Sequence, residues 1–150
     1  MPGGISLYVP GMRCLILLAL MSGPVYAWEF TPTPRCTLFH AEEGAEVAVT
    51  YDHATALYAI SVTTEQGWPA APAFSIRFDG PAPNTISTTR HGVRGQTLTV
   101  TDAGFGNVLD GIEFNRTATA FTQTAAVTVS LDGAAEPVQA FRACASAITS

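Results

Sequence analysis

The chain has 150 residues, with twelve acidic side chains against seven basic ones and a formal net charge of −5. All seven basic residues are arginines and lysine is absent, which removes Schiff-base chemistry, a Ser-Lys dyad and the phosphate-loop lysine of nucleotide-driven machines. The acidic balance repels phosphate backbones and anionic membrane surfaces at long range, so no nucleic acid is expected as a partner.

At the start of the chain, Met12-Arg13 precedes the apolar run Cys14 to Met21, and Val25-Tyr26-Ala27 sets small residues at the third and first positions before a cut. This pattern predicts an export signal over residues 1–27, with translation starting at Met12 and cleavage after Ala27. The apolar run is about half of the roughly 20 residues needed to cross a bilayer, and no later stretch comes closer, so no retained membrane span is expected. Residues 28–150 are expected to form one disulfide-closed, β-rich domain in the periplasm or outside the cell, with no lipid anchor because Cys14 precedes the greasy core.

Removal of the signal takes Cys14 and leaves Cys36 and Cys144, near opposite ends of the mature chain. Two thiols in an oxidising compartment predict one bridge. Tying residues roughly 100 apart restricts the unfolded chain by about 4 to 5 kcal/mol in the entropy account. The close C-x-x-C spacing that suits a redox or metal pair is absent.

Along the mature chain, alternation predicts strands at Val47-Val49-Tyr51, Leu57 to Thr63, Phe74-Ile76-Phe78, Leu98-Val100 and Val127-Val129-Leu131. Turns are expected at Glu43-Gly44, Gly67-Trp68-Pro69, Asp79-Gly80-Pro81, His91-Gly92, Gly104-Phe105-Gly106 and Asp132-Gly133. Six or seven strands at this spacing favour antiparallel connections. A short helix is expected from an Asn107 cap through Phe114, with Leu109, Ile112 and Phe105 facing inward and Gly111 weakening it. A second helix is predicted at the end, where Glu136 and Pro137 suit the first turn and Val138, Phe141, Cys144 and Ala145 share one face. The expected fold is therefore α+β and mostly β, an antiparallel curved sheet or sandwich with a C-terminal helix fastened to the first strand through Cys36 and Cys144, an all-β sandwich being the alternative.

The start Trp28-Glu29-Phe30 with Cys36, the middle Arg77-Phe78-Asp79-Gly80, the run Leu98 to Leu109 and the end Ser130-Leu131-Asp132-Gly133 to Ala140-Phe141-Arg142-Ala143-Cys144 together carry a resemblance. Nearly the whole mature chain resembles a family of short, uncharacterised exported proteins of alphaproteobacteria. Members of such families sometimes carry an excinuclease label, that of a helicase-like component of nucleotide-excision repair. The residues give that label no support, because such a component needs a phosphate-binding loop with a lysine, basic DNA contacts and a far longer chain. The resemblance implies export and brings no activity with it.

The chemistry-bearing residues are few. His40, His53 and His91 are the only histidines, and separations of thirteen and thirty-eight residues fit no local ligand motif, so no metal site and no cofactor are expected. There is no G-x-S-x-G elbow, and pairs such as Asp79 with Asp102 or Asp110 with Glu113 arise readily among twelve acids. Asn115-Arg116-Thr117 matches the glycosylation acceptor pattern by accident of three residues. Two candidate binding features remain. Arg90, His91 and Arg94 make a positive spot on a negative surface, read as one hairpin turn. In Gly104-Phe105-Gly106-Asn107, backbone amides before a helix would hold an anion with Phe105 as a lid, or else glycines at positive φ would let Phe105 plug the core.

These features predict a non-catalytic binding or accessory domain whose partner is a protein, an envelope component or a small ligand. The alternatives are a small envelope hydrolase built on His91 or His53 with a nearby aspartate, favoured if His91, Arg77, Asp79 and Asp102 converge in a concavity, and a structural member of an envelope assembly.

Overall fold

The computed structural model describes residues 27–147. The export signal and its cleavage site fall on residues 1–27, which lie outside the described residues apart from Ala27.

Ten strands and two helices follow one another among the described residues: β1 (Glu29–Thr31), β2 (Cys36–Glu42), β3 (Ala45–Asp52), β4 (Leu57–Thr64), β5 (Phe74–Asp79), β6 (Asn84–Thr88), β7 (His91–Arg94), β8 (Thr97–Asp102), α1 (Gly106–Phe114), β9 (Thr117–Phe121), β10 (Ala126–Ser130) and α2 (Ala135–Ser146). They form two antiparallel sheets, one of six strands in the order β1-β2-β3-β4-β8-β7 and one of four in the order β10-β9-β5-β6. The fold is a mostly β, sandwich-like α+β arrangement with a short C-terminal helix.

The period-two pattern explains the layers. In β3 and β4 the register pairs Val47 with Val62 and Val49 with Ile60, so one apolar row faces the second sheet. In β5, Phe74, Ile76 and Phe78 are buried while Ser75, Arg77 and Asp79 point away, and β9 sets the small side chains of Ala118 and Ala120 beside Phe78 and Ile76. The outer faces carry polar ladders such as Ser61 to Thr99 (3.1 Å) and Thr63 to Thr97 (2.8 Å).

The helices close one end. Val138 and Phe141 of α2 are fully buried, each such burial being worth roughly 1.5–3 kcal/mol. Arg142 of α2 reaches Asp110 (2.6 Å) and Glu113 (3.2 Å) on α1. Cys144 meets Cys36 at disulfide distance, with Cα atoms 5.9 Å apart and a sequence separation of 108. The anchoring strand is β2 and not the first strand, because the short β1 precedes it.

Three further expectations need correction. The strand count exceeds six or seven because β1, β6 and β7 are short edge or near-edge strands whose sequences lack sustained apolar alternation. His91-Gly92 is not a turn; it opens β7, and the hairpin to β8 turns at Gly95, which holds φ +62. Finally, α1 begins at Gly106 with Phe105 in the cap position and no side-chain cap bond, so Asn107 sits inside the first turn.

Candidate functional site

A cleft of about 510 Å³ opens between β6 of one sheet and β8 of the other, with the start of α1 along it. Its walls come from alternation on both sheets. Ile76 pairs with Ile86 across β5 and β6, and Ile60 pairs with Val100 across β4 and β8, so each sheet presents one apolar cross-strand pair to the opening. Phe74 and Phe105 extend that surface, while Thr88, Arg90, Thr101, Asp102 and Asn107 give it polar groups. A concavity of this size, mostly apolar with a few convergent polar groups, has the dimensions of a small-molecule site.

The five candidate binding residues divide around this cleft. Arg90 lines it from the exposed segment joining β6 to β7, and so do Phe105 and Asn107. His91 lies on the inner face of β7 opposite Val100 and packs against the Phe74 ring with 6.2 Å between centroids, but does not line the cleft. Its Nε2–H donates to the Ala71 carbonyl (3.1 Å), and its buried Nδ1 has no partner. Arg94 is three positions further along β7, hence on the outer face beside Thr97 and Thr99. The single positive spot expected of Arg90, His91 and Arg94 is thus not formed: a strand sends His91 and Arg94 to opposite faces where a turn would have gathered them.

Phe105 is a core residue, 3% exposed and stacked on Tyr58 at 5.4 Å. Plugging the core therefore describes it better than covering an anion does, although Gly104 and Gly106 do this without positive φ. The amides of Gly106, Asn107 and Val108 precede the first intrahelical bond, from Leu109 N–H to the Phe105 carbonyl (2.9 Å), and all three residues line the cleft. Asp102 is the one acid there, and its Oδ1 accepts the Ala103 N–H at 2.6 Å.

The arrangement that would favour a hydrolase is not met. Arg77 and Asp79 pair with each other at 3.0 Å on the outer face of β5, Asp102 lies in the cleft, and His91 is committed to Ala71. His40 is buried in β2, stacked on Trp28 at 4.6 Å and bonded to Glu42 at 2.8 Å. The Asp110 and Glu113 pair is occupied by Arg142. Asn115 of the glycosylation-like triplet is 8% exposed, and its side-chain amide spans Ala82 and Gly111.

Sequence reading missed most of the cleft wall. Ile86 and Thr88 sit in a polar-looking strand, and only the pairing of β6 with β5 turns Ile86 inward. It also missed that His53, just beyond β3, stands beside Cys36 and Cys144. Compared with protein-family models, curated proteins and solved structures, the chain matches none, so its functional reading rests on this geometry.

Proposed function

We propose that the protein is an exported, non-catalytic binding domain that holds a small amphipathic anion in the cleft between its sheets. The carrying observation is the cleft itself, in which apolar pairs from both sheets face each other and Arg90 stands among the polar groups. The ligand's apolar body would lie against Ile86, Val100 and Phe105, and its acidic head would take a charge-assisted hydrogen bond from Arg90. The unpaired amides at the start of α1 add a weaker attraction of the same sign. Asp102 steers the head away from its own side of the cleft. Envelope components with an acyl or aromatic body and an acidic head meet this description. The two cysteines at disulfide distance support the oxidising location that export implies.

Fluorescence titration with anilinonaphthalene sulfonate, followed by displacement with medium-chain alkanoates, tests this reading. Arg90→Gln should weaken binding by roughly 10- to 100-fold, the worth of one hydrogen bond to a charged group. Arg94→Gln, on the outer face, should leave it unchanged. Both variants should melt within a few degrees of the parent, because exposed charges contribute little to stability. Equal effects from the two substitutions would remove the cleft from consideration.

A further inference from the structure

His53 Nε2 lies 3.8 Å from Cys36 Sγ and 3.1 Å from the Cys144 carbonyl oxygen, to which it donates. The two sulfurs and an imidazole nitrogen all fall within 4.8 Å of one another, on three separate elements: Cys36 opens β2, His53 follows β3, and Cys144 is in the last turns of α2. Cys36 is buried, while His53 and Cys144 are half-buried, so the cluster has a dry side and a solvent side. The Tyr51 ring meets the His53 ring edge-on, with centroids 4.9 Å apart, and helps fix its plane.

We propose that, once the disulfide is reduced, Cys36, His53 and Cys144 form a binding site for one thiophilic divalent cation of the Zn²⁺ type. A tetrahedral zinc with Zn–S near 2.3 Å and Zn–N near 2.0–2.1 Å has an S···N edge of about 3.6 Å. The observed 3.8 Å from His53 Nε2 to Cys36 Sγ already matches that edge. The S···S edge of such a site is about 3.8 Å, reached by rotating the two cysteine side chains while the Cα atoms stay 5.9 Å apart. The half-buried side leaves the fourth position to water, as in zinc sites with two cysteines and one histidine. The chemistry balances with a phosphine reductant: the S–S bond is cleaved, each sulfur gains a proton, and the phosphine becomes its oxide with oxygen from water. Metal binding then releases both thiol protons to solvent, and the imidazole proton moves from Nε2 to Nδ1. The cation replaces the covalent tie between β2 and α2, keeping the C-terminal helix docked when the bridge is open.

The test uses the mature protein reduced with tris(2-carboxyethyl)phosphine and titrated with Co²⁺, then Zn²⁺. Expected are one equivalent of Co²⁺ with thiolate charge-transfer and tetrahedral d–d absorption, displacement by Zn²⁺, and a Zn²⁺-dependent rise in melting temperature. His53→Gln should weaken Co²⁺ binding by at least about tenfold, whereas oxidised protein should give no such bands. If reduced protein is unfolded without metal, one equivalent of Zn²⁺ should restore its native circular dichroism. Reduced protein that gives no cobalt–thiolate bands, that stays unfolded with Zn²⁺, or that binds equally tightly with Gln at position 53 would overturn the three-ligand site.

Discussion

Gly111 faces the ring of Phe78. A Cβ built at this position would stand 2.4 Å from two ring carbons of Phe78 and 2.6 Å from a third. In an exposed helix, Gly→Ala adds about 1 kcal/mol of stability through backbone entropy, so Gly111→Ala in the middle of α1 would stabilise if space allowed. Phe78 is 1% exposed and lies between the sheets beside an apolar void of only about 20 Å³, too small to take a displaced ring, so the ring or the helix must move against its packed neighbours. Overpacking of this kind costs typically 1–3 kcal/mol and occasionally more. With contacts this short the upper end applies, and the net expectation is a loss of about 2 kcal/mol, or roughly 6–12 °C in melting temperature for a domain of this size. Thermal unfolding followed by circular dichroism on oxidised protein reads it directly. Phe78→Leu in the Gly111→Ala background should cost less than in the parent, with a coupling energy of roughly 1 kcal/mol or more. A melting temperature equal to or above that of the parent would refute the seating of Phe78 on the helix backbone.

Replacing Cys36 and Cys144 together by serine should lower stability by roughly 2–5 kcal/mol, measured by urea unfolding against the oxidised parent, because a closed loop of this length restricts the unfolded chain. Equal midpoints for the two proteins would show that the bridge does not form. Arg142→Ala should cost about 1–3 kcal/mol, because it removes the cation from the Glu113 carboxylate, whose side chain is 8% exposed and keeps just the Gln139 amide (3.1 Å) as a partner among the described residues. Asp110→Ala, removing a 61% exposed partner of the same arginine, should cost no more than about 1 kcal/mol in the same assay. A reversed order of the two losses would move the weight of the interaction from Glu113 to the surface pair.

The inner strands were legible because burial on one face imposes alternation. Val47 to Tyr51, Leu57 to Thr63 and Phe74 to Phe78 lie in strands where expected, and the apolar stripe of Val138, Phe141 and Ala145 lies on α2. The cysteine pairing was legible by counting alone. Edge strands were not, since β6 and β7 bury little and read as polar loop. That one error carried into the site. Taking His91-Gly92 for a turn gathered Arg94 with Arg90, while the true turn at Gly95 put Arg94 on the outer face. Phe105 and Asn107 were found because the start of a helix is recognisable locally, and Arg90 because basic residues crowd around it in sequence. Ile86 and Val100 acquire meaning only from which strands pair. The approach of His53 to Cys36 follows from the β2–β3 register, which pairs Cys36 with Tyr51, and its approach to Cys144 from the docking of α2, a long-range contact with no local trace.

The two long edges of the sandwich are fastened unequally. On the β1–β10 side, Ser130 is held twice, its carbonyl by the Trp28 indole (2.9 Å) and its N–H by Glu42 (2.5 Å), and the stacked Trp28–His40 pair fills the space beneath. On the β6–β7 side, the His91–Ala71 bond and the short strand-to-strand passage through Arg90 do the joining. The sheets are therefore joined like the covers of a book, by more hydrogen bonds at the Ser130 spine than at the fore-edge where the cleft opens. Any separation of the covers widens the opening between Ile86 and Val100 while leaving the spine and the helix-closed end intact.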